Sequence, residues 1–229
     1  MADYVFAPPP VVGVPVLGSD TLFPVRRIYC VGRNYLDHVR EMGGDERDPP
    51  FFFQKPTDAI VLSGTSVPYP PFTQDFQYEI ELVLAIGKGG ADIAAEDVSG
   101  HVHGLAVGID LTRRDVQIIA RKAGKPWEIG KAFDHSAPIT AIAPLQGALP
   151  VSGAITLAVN GETKQSGDLS EMVWNCAEIV AQLSAQYRLE PGDLIYTGTP
   201  AGVGPLMPGD RVTGSVAGVG DIVVDIIAA

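Results

Sequence analysis

A glycine or a proline falls at about every fifth position of this chain, 26 glycines and 19 prolines among 229 residues, where the two together usually make roughly 12%. Proline removes a backbone donor and glycine lets the chain turn freely, so long helices are interrupted and short strands joined by turns are favoured. The stretches between the breaks are apolar enough to fill a core. Hydrophobic residues make up 46% and charged residues 19%, the latter below the roughly 25% of an average soluble domain, which excludes intrinsic disorder. The length suits one globular domain, or one domain with a short extension. Acidic residues outnumber basic ones by 27 to 16, a formal net charge of −11. Such a chain repels phosphate backbones and anionic lipid, which argues against nucleic-acid and membrane partners. Apolar runs such as Leu82-Val83-Leu84-Ala85-Ile86 end far short of the roughly 18 to 20 residues that span a bilayer, and Met1-Ala2-Asp3-Tyr4 has no basic n-region. Cys30 and Cys176 lie in apolar stretches without C-x-x-C spacing, the pattern of buried, reduced thiols in a cytoplasmic protein.

Residues 1–24, with Pro8-Pro9-Pro10, Pro15 and Pro24, read as an extended N-terminal arm packing on a body formed by residues 25–229. The body opens with a strand over 26–32, followed by a short helix within 34–42 that Asn34 or Asp37 caps. Residues 43–50 are polar, with breakers at both ends, and form a candidate lid. Further strands are expected at 51–53, 60–62, 78–86 and 104–109, then a mixed helical segment over 111–123. Asn160-Gly161 between two β-rich runs predicts a type I′ hairpin. Asp168 and Glu171 are spaced as a capping box for a helix over 169–187, with Met172, Cys176, Ile179, Val180 and Leu183 on one face. Strands at 194–196, 211–213 and 221–226 complete a strand-dominated α+β reading with few helices.

Chemistry-bearing residues concentrate in few places. Glu79 and Glu81 stand two apart on a strand, so their carboxylates leave one face. A solvated edge would tolerate the pair. The apolar run that follows favours a central strand, where a hard divalent cation with oxygen ligands would neutralise them and Asp110, ending the buried run 104–109, is the best third donor. His38 and Glu41 are three apart on the proposed short helix, either an incidental surface pair or a carboxylate-oriented general base. The H-x-H of His101 and His103 lacks the partners of a metal site and reads as turn or surface. Asp134-His135-Ser136 is contiguous, which a catalytic triad is not. Lys131, with its stem in an apolar setting, requires an anionic partner. The glycine-rich run Thr197-Gly198-Thr199-Pro200-Ala201-Gly202-Val203-Gly204 lacks G-K-[ST] and reads as a tight loop offering amides and the Thr199 hydroxyl to a carboxylate.

Taken in order, Val31-Gly32-Arg33-Asn34-Tyr35, Asp37-His38-Val39-Arg40-Glu41-Met42, Gln54-Lys55-Pro56, Tyr78-Glu79-Ile80-Glu81, Gly108-Ile109-Asp110 with Arg114 and Gln117, Lys131-Ala132-Phe133 and the loop from Gly192 to Gly204 resemble the fumarylacetoacetate hydrolase family. The resemblance runs from about Arg26 to the C-terminus, and is greatest to the short bacterial fumarylpyruvate hydrolases and acylpyruvases. It implies a mixed β-roll, a homodimer, and Mg²⁺ or Mn²⁺ held by Glu79, Glu81 and Asp110. It further implies a His38/Glu41 dyad on a lid, Lys131 in catalysis, and substrate contacts from Arg33, Arg114, Gln117 and Thr199. The implied reaction is hydrolysis of a carbon–carbon bond in a 2,4-dioxo acid, fumarylpyruvate to fumarate and pyruvate in gentisate breakdown. The same site would otherwise serve an acylpyruvase, an oxaloacetate decarboxylase or a 2-oxo-dienoate isomerase. The chain departs from the family at Arg113, where a small residue is common, so the charge expected beside the pocket differs.

Overall fold

The computed structural model describes residues 3–35 and 48–229. In chain order its strands are β1 (Gly13–Pro15), β2 (Leu22–Pro24), β3 (Arg27–Gly32), β4 (Phe51–Lys55), β5 (Ile60–Leu62), β6 (Ser66–Pro68), β7 (Phe76–Tyr78), β8 (Ile80–Ile86), β9 (Val102–Ile109) and β10 (Thr112–Arg113). Helix α1 (Arg114–Lys122) follows, then β11 (Ala137–Ile139), β12 (Ala143–Pro144), β13 (Ala154–Val159), β14 (Glu162–Asp168), helix α2 (Cys176–Gln186), β15 (Asp193–Tyr196), β16 (Gly204–Pro205), β17 (Arg211–Val216) and β18 (Gly220–Ile227). This is the strand-dominated α+β architecture expected, and its sheets are mixed. The largest runs β4-β3-β15-β8-β9-β11-β5, and a second runs β14-β13-β17-β18-β6. β3/β15, β5/β11 and β6/β18 pair parallel, while their neighbours in these sheets pair antiparallel.

The setting of strand β8 explains why its sequence is continuously apolar from Leu82 to Ile86. Every residue of it is buried, because each face packs on a separate core. Leu82, Leu84 and Ile86 face a core shared with Ile155, Leu157 and Val224 of the second sheet. Val83 and Ala85 face another, closed by Val14, Val16 and Phe23 of the N-terminal hairpin. A strand covered on both sides carries no alternation. The predicted turn at Asn160-Gly161 is present, with φ of 53° and 82° joining β13 to β14.

Two expectations are corrected. The strand predicted over 78–86 breaks at Glu79: β7 joins a small sheet with β10 and β16, and β8 continues in the large one. The antiparallel partner makes the same step, with Asp110 between β9 and β10 and its amide donating to the Glu79 carbonyl at 2.8 Å. The helix predicted over 169–187 begins at Cys176. The Asp168/Glu171 capping box forms, but it closes only a 3₁₀ turn. Asn34 is the reason: its carbonyl and side-chain oxygens accept the amides of Val173 and Trp174 at 2.8 Å, drawing the chain out of helical geometry. A second capping box, Asn175 with Glu178, then starts α2. Asn34 is therefore a long-range clamp; the short helix that its sequence position suggests it caps lies almost wholly within 36–47, outside the described residues.

The two readings of 169–187 predict opposite signs for Asn175→Ala. In a helix interior alanine would stabilise, whereas loss of the observed cap costs about 1 kcal/mol. Urea unfolding of the variant should show the loss.

Candidate active site

The step between sheets at Glu79 and Asp110 turns both side chains into one cavity of about 270 Å³, just under the roughly 300 Å³ at which the usual range for small-molecule sites begins. Glu81, two residues further along β8, enters from the same face. One carboxylate oxygen from each of the three lies within 4.8 Å of the others, and all three residues are buried. Among the described residues this is the one cluster of acidic, histidine or cysteine side chains with metal-ligand proximity.

Cations from three other elements hold the acids in place. Lys131 Nζ donates to Glu79 Oε2 at 2.8 Å and Asp110 Oδ2 at 2.7 Å, supplying the anionic partners its sequence setting requires. Burial pulls its pKa down, but the fields of Asp110 and Glu79 outweigh burial and leave it raised, so Lys131 is an ammonium. Arg114, at the start of α1, donates to Glu79 through Nη2, to Gln77 through Nε at 2.8 Å and to Gln117 through Nη1 at 2.7 Å. Lys55 of β4 sits 2.8 Å from Asp110 Oδ1, off the line of a hydrogen bond, and its protons go instead to the carbonyls of Leu111 and Lys131.

Glu81 is held differently. The Gly198 amide donates to its Oε2 at 2.7 Å. Gly198 adopts φ of 94°, and a Cβ there would meet that of Asn34 at 2.8 Å, so the turn that aims this amide requires glycine. Burial first, then the charges of Asp110 and Glu79, push the Glu81 carboxyl well above the usual carboxylate range. An all-oxygen set of three acids, one of them resisting ionisation, is the donor chemistry of a hard divalent cation.

The remaining predicted contacts, Arg33, Arg114, Gln117 and Thr199, all line the same cavity. The Thr199 hydroxyl accepts from Gln165 Nε2 at 2.8 Å, and the same amide donates to the Pro200 carbonyl at 2.8 Å. The glycine-rich loop was expected to offer amides to a carboxylate, and the one that does so here, Gly198, serves Glu81. His38, Glu41 and most of the candidate lid fall within 36–47, outside the described residues. The other candidates take no part. His101 Nδ1 is 2.8 Å from the Lys88 carbonyl, His103 stacks on Phe23, and His135 occupies an exposed turn with φ of 62°. Arg113 lies 4.3 Å from the Phe133 ring centroid and does not line the cavity. Both cysteines are buried free thiols.

A family profile described as Fumarylacetoacetate (FAA) hydrolase C-terminal matches residues 27–227. The chain belongs to the fumarylacetoacetate hydrolase family. It is 47% identical to a Ralstonia fumarylpyruvate hydrolase over 172 residues, 75% of this chain and 90% of that one. It is 37% identical to the mitochondrial oxaloacetate decarboxylase of Dictyostelium discoideum over 205 residues, 88% of this chain and 94% of that one. The crystal structure of the fumarylpyruvate hydrolase from Pseudomonas aeruginosa in complex with Mn²⁺ and pyruvate superposes with a TM-score of 0.96 at 51% identity, covering 99% of this chain and 100% of that one.

Sequence reasoning missed two residues. Gln165 carries no motif of its own, and only the packing of the second sheet on the first brings it to Thr199 and to the Ile80 amide, 3.0 Å from its Oε1. Lys55 stands in the Gln54-Lys55-Pro56 block, and the signal was a lysine ending an apolar strand. Removing one partner of a buried ion pair strands the other charge. Asp110 keeps Lys131 when Lys55 is removed, so Lys55→Met should lower the stability of the cation-free protein by less than the roughly 3–5 kcal/mol of a fully stranded charge, read from denaturant unfolding, with stability recovering in part when Mn²⁺ is added.

Proposed function

We propose that this protein is a divalent-cation-dependent hydrolase that cleaves the C3–C4 bond of a 2,4-dioxo acid, with fumarylpyruvate giving fumarate and pyruvate. The observation that carries the reading is the convergence of Glu79, Glu81 and Asp110 on one buried point beside the Lys131 ammonium, in a chain 51% identical across its length to a fumarylpyruvate hydrolase. Glu79, Glu81 and Asp110 would hold Mg²⁺ or Mn²⁺, which would supply Lewis-acid polarisation of the oxo acid.

The chain's own residues do the rest. Arg114 and Gln117, already hydrogen-bonded to each other, orient the oxo acid on the wall formed by α1. His38, oriented by Glu41, takes a proton from water as the oxygen attacks C4. Collapse of the tetrahedral adduct breaks C3–C4 and leaves the electron pair on the pyruvate fragment as an enolate, which the Lys131 charge stabilises. The imidazolium then returns its proton to C3, and the Thr199 hydroxyl, fixed by Gln165, is placed for the departing carboxylate. Support for His38 and Glu41 in these roles comes from their flanks: Arg33 before them and Phe51 after them both line the cavity.

A second reading, decarboxylation of oxaloacetate, is favoured by the Dictyostelium relative and uses the same enolate stabilisation without an attacking water. We further place the protein as a cytoplasmic homodimer serving gentisate-type aromatic breakdown. The two buried free thiols fit a reducing compartment.

Loss of the ultraviolet absorbance of fumarylpyruvate with Mg²⁺ or Mn²⁺ tests the reaction, and His38→Ala separates the two chemistries. The variant should lose roughly 10²- to 10⁴-fold in kcat for fumarylpyruvate, the usual worth of a positioned general base. Oxaloacetate decarboxylation should fall by less. An equal loss in both would remove the water-activating role.

A further inference from the structure

The acid cluster accounts for only one end of the cavity. Its burial gradient gives the cavity an axis: Glu81, Asp110 and Lys131 lie at the closed end, and Phe51, Arg33 and Arg121 lie at the solvent end. At the closed end every cation is engaged by a carboxylate. At the open end neither Arg33 nor Arg121 has an acidic partner among the described residues, although both line the cavity. Among the described lining residues, Arg33, Arg114, Arg121 and Lys131 set four positive charges against three negative ones, in a chain whose net charge is −11. Such a local excess against the global sign selects an anion.

Two features show that the open-end arginines are placed. Arg33 adopts φ of 56°, a left-handed conformation uncommon for a residue other than glycine, asparagine or aspartate. It sits at the end of β3, beside the Asn34 clamp. Arg121 follows Arg114 and Gln117 at helical spacings of seven and four, so α1 presents all three along one stripe. Lys122 stands at the same helix end, where it can answer the helix dipole, yet it does not line the cavity. From Arg114 to Arg121 the helix axis advances about 10 Å. The seven-carbon chain of a diacid such as fumarylpyruvate, with six zigzagged bonds of about 1.5 Å, extends about 7–8 Å. A substrate whose oxo-acid head meets Arg114 therefore brings a far-end carboxylate to Arg121.

We propose that Arg121, together with Arg33, forms a second carboxylate subsite that makes this enzyme select 2,4-dioxo diacids over acylpyruvates with an uncharged tail. Phe51 and Trp127, whose rings meet edge to face, form the apolar wall along which the intervening carbons lie. The subsite rests on the hydrolase reading for its substrate, but its binding chemistry is separable from turnover.

The test pairs ligands that differ only at the far end. Fumarate and crotonate, which carry a carboxylate and a methyl group there, are titrated calorimetrically in the presence of Mn²⁺ into wild type, Arg121→Met and Arg121→Lys. The ratio of kcat/KM for fumarylpyruvate over acetylpyruvate is measured in the same proteins. Arg121→Met should weaken fumarate relative to crotonate by roughly 10- to 100-fold, the worth of a charge-assisted pair. It should lower the turnover ratio by a similar factor through KM, and Arg121→Lys should restore part of both. Equal weakening of fumarate and crotonate, or an unmoved ratio in an active enzyme, would overturn the subsite. If wild type cleaves neither oxo acid but keeps an Arg121-dependent preference for fumarate, the subsite stands and the hydrolase reading falls.

Discussion

Three carboxylates with oxygens inside 4.8 Å of one another repel by about 3–4 kcal/mol per ionised pair, even at an effective dielectric constant of about 20. Nothing in the surrounding apolar core screens them. The fold tolerates the cluster because Lys55 from β4, Lys131 from the turn after α1 and Arg114 from α1 itself converge on it, three charges against three. Buried ion pairs are expensive to desolvate and seldom the cheapest way to fill a core, so a balanced cluster at the base of a cavity marks a site held for chemistry. The balance is uneven: Lys131 and Arg114 meet Glu79 and Asp110, while Glu81 is left to one backbone amide. That asymmetry gives the cluster room for one further cation.

Sheet topology puts the acids there. β8 and β9 are paired along their length and leave the large sheet together, and Glu79 and Asp110 are the residues at which each steps to or from the smaller sheet. A step of this kind frees two side chains from the alternation of the pleat and turns both toward the same space. Gly108, opposite Glu81 on β9, makes room for the Tyr196 ring packed under the strands: a Cβ there would fall 2.4 Å from it. The second sheet supports the site at a distance through Gln165, which ties the Thr199 loop to the start of β8. The closed end is thus rigid by construction, and the variable chemistry sits at the open end, where α1 and the end of β3 bring their arginines.

Much of this was legible in the sequence, and the misses share a cause. Glu79, Glu81 and Asp110 could be grouped because two acids on an apolar strand and one at a strand end violate a local rule, and such violations mark sites. Lys131 announced itself as a charge in an apolar setting. The hairpin at Asn160-Gly161 followed from backbone preference alone. What failed was decided by contacts distant in sequence. Helix α2 starts late because Asn34, 140 residues upstream of Trp174, captures the amides that a helix would use. Gln165 carries no local pattern that sets it apart from other polar residues, Lys55 only its place at the end of an apolar strand, and the partners of both are fixed only when sheets pack. Capping boxes illustrate the point: both the Asp168 and the Asn175 boxes form, and tertiary bonding decides which one opens a helix.

The acid cluster has the donors of a divalent-cation site, and its last ligand, Glu81, must give up a proton to bind the ion. The Glu81 carboxyl is raised by burial and by its acidic neighbours, so the cation-free protein holds that proton to higher pH than the unfolded chain does. The stability gained from holding it is present at low pH and lost as pH rises through the native value. Cation binding has the opposite dependence, strengthening with pH until Glu81 is ionised without help. Calorimetric titration of Mn²⁺ at several pH values, in buffers that differ in ionisation enthalpy, measures the affinity and the protons released together. Affinity that climbs with pH, with close to one proton released per ion at low pH and a linkage abolished in Glu81→Gln, is the predicted result. Affinity independent of pH with no proton released, or wild-type Mn²⁺ binding in Glu81→Gln, would contradict it.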